Sequence, residues 1–197
     1  VFLHKKSDAL DLLTEAKLER RFKSAGRALQ RFYAAMYVAE LLAAMTDEAD
    51  PHPEVFDLAD AVLSAIDGDS DVPGQVCRFE IGAMTLLGHQ PMLHKCVECG
   101  RDKTCSTARV NFGLLAGGVY CGRCRQGKTN VVNLSAEAWE SLVELVQMAT
   151  AELPETSAVR RPMAADHLSE LRPFLNQYLA CHLGYRPRLQ KYLTGPN

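Results

Sequence analysis

Two Cys-x-x-Cys pairs, Cys96-Val-Glu-Cys99 and Cys121-Gly-Arg-Cys124, stand 21 residues apart in a chain of 197 residues. One pair of thiolates grips one side of a Zn²⁺ ion, and two pairs complete a tetrahedron. The spacing therefore predicts a Cys₄ site that closes a small β-rich module on itself. Gly100 and Gly122 follow the first pair and open the second, where a knuckle turn needs a residue tolerant of positive φ. The bland alternative is four unmetallated thiols or a redox pair. Four protein thiolates leave no open coordination position, so the expected zinc is structural. A catalytic deaminase-type zinc needs H-x-E and P-C-x-x-C, whereas Lys95 precedes Cys96 and Tyr120 precedes Cys121. His94 and Cys105 lie near the pairs and are weaker candidate ligands. Cys77 and Cys181 read as packing residues on helices. This use of cysteine fits a reducing, cytoplasmic compartment better than a disulfide framework.

The rest of the chain reads as mainly α. Hydrophobic residues make up 47% of the whole sequence, enough for an ordinary core. No apolar run approaches the roughly 20 residues of a membrane span, and no signal peptide is visible. Thr14 is a candidate N-cap for a helix over 15–46, whose face Phe22, Ala25, Leu29, Phe32, Tyr33 and Met36 is apolar. The nearly continuous apolar stretch 34–45 suggests the buried central helix, and Glu40 within it suggests a hydrogen-bond hub. Pro53 starts a second helix over 54–67. A third spans 76–87, ended by Gly88 and Pro91. Short β segments follow at 110–112, 119–120 and 130–134. Ser135 caps a helix over 136–152, 154–162 is a loop, and a last helix covers 165–183 up to Gly184. The expected architecture is a helical bundle with an inserted zinc-ribbon-like module. The divisions are 1–13, 14–92, 93–134 and 135–197.

Charge is uneven. The formal net charge is −2, but 95–128 holds seven basic residues against Glu98 and Asp102, leaving about −7 elsewhere. The ribbon cations Arg101, Lys103, Arg123, Arg125 and Lys128 could meet phosphates or an acidic peptide. So could a stripe of Arg20, Lys23, Arg27 and Arg31 on the first helix. For both groups a merely solvated surface is the competing reading. Arg186, Arg188 and Lys191 form a third cluster. No nucleophile elbow, P-loop or dinucleotide fingerprint is present, so an enzyme has little support.

The order of several short motifs resembles the bacterial RecO family of DNA repair proteins. The carriers are Phe79-Glu80, Leu86-Leu87-Gly88-His89-Gln90-Pro91-Met92-Leu93, Cys96-Val97-Glu98-Cys99-Gly100, and Phe112 followed by Gly117-Gly118-Val119-Tyr120-Cys121 and Cys124. Tyr37 with Glu40-Leu41-Leu42, and Asn176, Tyr178-Leu179, His182-Leu183-Gly184, Pro187 and Leu193, extend the likeness toward both ends. The resemblance implies an N-terminal OB domain, a helical domain and a zinc element. Val1–Lys5 would be the last strand of that OB domain, most of which does not lie within the chain. It also implies a non-enzymatic recombination mediator that binds and anneals single- and double-stranded DNA. Such a mediator acts with RecR to load RecA on strands covered by single-stranded-DNA-binding protein (SSB), and its helical domain can receive the acidic SSB tail. A zinc-ribbon protein-interaction module of a transcription or other assembly is the alternative.

Overall fold

The computed structural model of the chain describes residues 2–3, 12–18, 20–24, 28–48, 50–68, 70–102, 109–150 and 165–193. Arg27, Lys103, Cys105 and the expected loop 154–162 lie outside the described residues. The elements are β1 (Phe2–Leu3), β2 (Leu12–Leu13), α1 (Leu29–Met45), α2 (Pro53–Asp67), α3 (Val72–Leu86), β3 (Arg109–Gly113), β4 (Gly118–Tyr120), β5 (Val131–Ser135), α4 (Ala136–Thr150) and α5 (Ala165–Leu183). A 3₁₀ turn at Gln190–Tyr192 follows. The chain is thus mainly helical, with a small antiparallel sheet of order β4-β3-β5. β1 and β2 form a separate two-stranded pair, Phe2 opposite Leu13 and Leu3 opposite Leu12.

The central helix is α3, not α1. Twelve of its fifteen residues are buried, against four of seventeen in α1. The apolar run of α1 is rich in alanine, which buries little area. α3 instead carries Gly82, which lets α2 approach closely. A Cβ on Gly82 would lie 2.6 Å from Leu58 Cδ2 of α2. One side of α3 (Val76, Phe79, Ala83) packs with Tyr37, Val38, Leu41, Val62 and Ile66 of α1 and α2. Its other side (Cys77, Ile81, Met84) packs with the sheet, α4 and α5. The strands 109–113, 118–120 and 131–135 are thus built into a core shared with the helices. Phe112 of β3 meets Phe174 edge-on at 4.9 Å and Tyr178 at 5.2 Å between ring centroids.

Local chemistry sets the element ends. Asp71 accepts from the Gly74 amide at 3.2 Å, so α3 starts at Val72, earlier than the sequence pattern suggests. It ends with Gly88 at φ +83°, whose amide donates to the Thr85 carbonyl while that of His89 donates to Met84, a Schellman pair. Ser135 Oγ accepts from the Ala138 amide at 3.1 Å and donates to Glu170 at 2.5 Å, joining the start of α4 to α5. Gly184, at φ +75°, closes α5.

The first helix begins at Leu29 and not near residue 15. The Asp67 carboxylate, at the end of α2, accepts from the amides of Lys23 (2.8 and 3.0 Å) and Ser24 (2.7 Å). Arg20 donates to Ser64 Oγ at 2.9 Å and pairs with Asp60. The segment 20–24 therefore lies against α2, its amides satisfied by a side chain 43–44 positions away. The Lys23 amide, followed by that of Ser24, outweighs desolvation and holds the Asp67 carboxyl below its ordinary value. A depressed folded-state value means that this anchor is complete above about pH 4, the unfolded carboxylate value, and is lost as pH falls through the folded one. Asp67→Asn should speed hydrogen exchange at the Lys23 and Ser24 amides at pH 7. Unchanged exchange there would show that Asp67 does not hold the segment.

At the other end, Glu40 accepts from the amides of Arg188 (2.7 Å) and Leu189 (2.9 Å), and Tyr33 stacks on Tyr192 at 4.4 Å. The expected hub on α1 is a clasp for the residues after α5.

Candidate metal centre and its basic surroundings

The first knuckle is closed by backbone. The Gly100 amide donates to the Cys96 carbonyl, and the Cys96 amide to the Arg101 carbonyl, both at 2.9 Å. Gly100 adopts φ +66°, as the turn requires. In the second knuckle the Arg125 amide donates to the Cys121 carbonyl at 3.0 Å. The positive φ expected at Gly122 is absent there; Gly127, at +74°, carries it instead. The knuckles are docked by the Val97 amide on the Val119 carbonyl and by the Met92–Gly118 bridge. That approach needs the missing side chain of Gly118, since a Cβ would sit 2.6 Å from the Met92 carbonyl oxygen.

These turns bring the sulfurs of Cys96, Cys99, Cys121 and Cys124 within 4.8 Å of one another. Cys99 Sγ and Cys121 Sγ are 3.8 Å apart. A tetrahedral ion with bonds of about 2.3 Å separates its sulfurs by about 3.8 Å, so the set can hold a metal ion. The amide of Cys121 points at Cys96 Sγ at 3.4 Å. Burial opposes the Cys96 thiolate, but the N–H groups of Cys121, Cys99 and Glu98 outweigh it and bring the thiol down to about 6. The Cys124 N–H leads in lowering Cys121, whereas Cys124, hydrogen-bonded to Cys121, is pushed up to about 12. The backbone N–H groups thus favour the thiolate form at Cys96 and Cys121. His94 is turned away: its ring lies edge-on to Trp139 at 6.1 Å, and Trp139 donates to the Leu93 carbonyl. Among the described residues no other group of three or more potential ligands converges.

The candidate cations divide into two kinds. Arg20 is directed to Asp60 and Ser64, and Arg31 donates to the Ile66 carbonyl at 2.6 Å. With residues 20–24 outside any α-helix, Arg20, Lys23 and Arg31 do not share a helical face. Around the metal cluster, Arg101, Arg123 and Arg125 are exposed, and Lys128 pairs with Glu98 at 2.8 Å over the Tyr120 ring. Arg101 and Arg123 line two adjoining clefts beside the cysteines. Cys181, expected to pack, is exposed, while Cys77 is buried.

Sequence reasoning missed a buried polar cluster between α1, α3 and α5. Glu80 has no solvent exposure and receives Arg172 Nη2 at 2.5 Å on both oxygens. Tyr37 OH donates to Glu80 at 2.6 Å, and Arg172 Nη1 points at Cys77 Sγ at 3.7 Å. Burial first, and then the Glu80 charge, push the Tyr37 hydroxyl well above its ordinary value; burial pushes the Cys77 thiol up to about 12. The only local signal was one acid in the apolar stretch Val76–Ala83.

The family model described as recombination protein O C terminal matches residues 26–191. The chain belongs to the RecO family. DNA repair protein RecO of Rhodopirellula baltica is 36% identical over 97% of the chain and 77% of its own length. RecO of Anaeromyxobacter dehalogenans strain 2CP-C is 32% identical over 95% of the chain and 70% of its own length. The likeness to RecO thus takes in both the helices and the cysteine module. Among the described residues, no helix is long and apolar enough to cross a membrane.

Proposed function

We propose that the chain acts in DNA repair as a non-catalytic recombination mediator. The observation that carries this reading is the match to RecO proteins along 95–97% of the chain, metal module included. In it, the protein binds single- and double-stranded DNA, anneals complementary strands and works with RecR in the cytoplasm to help RecA load on SSB-covered strands. Zn²⁺ suits the four-thiolate set, being indifferent to geometry and well served by sulfur, and its role is to hold the knuckles. In this reading the DNA-facing cations are those that the sequence carries between, within and after the cysteine pairs: Arg101, Lys103, Arg123, Arg125 and Lys128. Arg20 and Arg31 already serve α2, which leaves less of the stretch containing Lys23 and Arg27 for a phosphate or for the acidic SSB tail.

The test is annealing of complementary oligonucleotides and DNA binding by the metal-loaded chain between 50 and 200 mM salt. With four phosphate contacts on single strands, log K should fall against log salt with a slope of about −3. Absence of annealing, or binding indifferent to salt, refutes the reading. Binding to protein partners with no DNA bound at any salt would favour a protein-interaction module instead.

A further inference from the structure

Arg109 did not enter the sequence-based list of DNA contacts, yet the fold delivers it to the metal centre. It begins β3 opposite Ser135 and lies on the same face of the strand as Asn111. A cleft of about 350 Å³ opens there, with Arg101, Arg109, Arg123, Asp102, Asn111 and Tyr120 among its walls. A second cleft of about 390 Å³ adjoins it, and Arg101, Arg123 and Cys121 line both. Lys128 and Gln126 stand along the second. The cations therefore follow one another from Arg109, through Arg101 and Arg123, to Lys128.

We propose that this double cleft is a trough for the sugar–phosphate backbone of single-stranded DNA, with Arg109, Arg101 and Arg123 as its phosphate ligands. The inference rests on the DNA-binding reading above and adds the strand type, the residues and a role for the metal. A row of cations suits a ligand whose charges recur at regular intervals. The floor offers no open apolar socket of the kind an acidic peptide needs for its anchor, because Val110 and Val119 are only 3% and 2% exposed. Arg109, Arg101, Arg123 and Lys128 lie along one continuous line, which suits the single backbone of one strand. Nor is Tyr120 a free stacking platform: its ring is packed over Gly113, where a Cβ would come within 2.4 Å, and Lys128 covers it. Binding is therefore indifferent to base sequence.

The metal enters through geometry. Arg101 follows the first knuckle directly, and Arg123 lies inside the second, so an ion that joins the knuckles fixes the spacing of the backbone that carries the two arginines. A four-thiolate dication centre is formally −2, and Asp102 adds another negative charge. Attraction here comes from arginine forks at hydrogen-bond range and not from a long-range field. Metal and strand are linked, and by reciprocity each tightens the binding of the other.

The test compares the Zn²⁺-loaded chain with R101A/R109A/R123A and with a control, R186A/R188A/K191A, on labelled dT20 and a 20-base-pair duplex. The trough variant should lose about tenfold or more in dT20 affinity, and its salt slope should shrink by about 2. The control should change little, and the duplex should lose less than dT20. Cobalt-loaded wild type and trough variant should show the same four-thiolate spectrum, which separates lost contacts from a lost site. Chelation of wild type should weaken dT20 binding to the level of the trough variant. If wild type binds DNA and the trough variant binds dT20 equally well, this inference falls and the DNA-repair reading stands. If wild type binds neither nucleic acid, both fall. Equal losses on dT20 and duplex overturn the strand assignment. Displacement of dT20 by an acidic Phe-ended peptide with the same arginine dependence makes the trough a peptide site and overturns it as well.

Discussion

Cys96→Ser should take metal content from one ion per chain to nearly none. Cys96 is the most buried of the four candidate ligands, 3% exposed, and the one on which most backbone N–H groups converge. A serine hydroxyl neither ionises near neutrality nor offers sulfur. Structural zinc contributes on the order of 10 kcal/mol of apparent binding energy in small domains, and that energy is folding energy for whatever the metal orders. The loss should centre on the knuckles and on the contacts they make, Val97 to Val119 and Met92 to Gly118. The α1–α2–α3 core lies apart from these contacts and should keep its helicity. Metal stoichiometry, the cobalt charge-transfer band and circular dichroism read these three statements separately. Cys181→Ser, an exposed cysteine outside the cluster, should leave all three unchanged. Retention of one tightly bound ion by the Cys96 variant would show that the four thiolates are not the ligand set.

Arg172→Met should destabilise the chain by about 3–5 kcal/mol, more than loss of its aliphatic packing explains. The substitution leaves Glu80 without its cation, at zero exposure, with only the Tyr37 hydroxyl beside it. Breaking one side of a buried ion pair leaves an uncompensated charge, whereas replacing the whole set with apolar groups can be nearly neutral. The companion variant is therefore Y37F/E80M/R172M, which also removes the hydroxyl that would otherwise lose its acceptor. It should regain most of the stability lost by Arg172→Met alone. Urea midpoints, with slopes checked for constancy, measure both. Additive losses in the triple variant would mean that the three groups contribute through packing and not through their mutual charge.

What could be read from the residues was local, and what could not was held across long separations. The convergence of the four cysteines was legible because each knuckle is four residues long and its turn chemistry is written in place. Pro53, Gly88, Ser135 and Gly184 marked element ends for the same reason. The start of α1 was not legible, because the periodic pattern before Leu29 is helical in appearance while its amides are taken by Asp67, 43–44 positions away. Glu80 and Arg172 are 92 residues apart, so neither announces the other. Arg109 looked like any basic residue until pairing with β4, which runs into Cys121, brought the strand beside the second knuckle. The choice of α1 as the central helix failed on a different count. Apolar composition measures what a segment could bury, whereas small residues at crossing points decide what actually packs around it.

The placement of α3 between two cores has a consequence for synthesis. Once residue 86 has been made, α1 and α2 can cover Val76, Phe79 and Ala83. Cys77, Ile81 and Met84 have no cover until β3–β5, α4 and α5 follow, the last of these reaching Leu179. For about half the length of the chain, a nascent protein emerging from the ribosome carries a helix with one dressed side and one bare apolar side. Bare sides of this kind are where growing chains adhere to one another, so the interval between residues 86 and 179 is when the nascent chain is most open to such contacts.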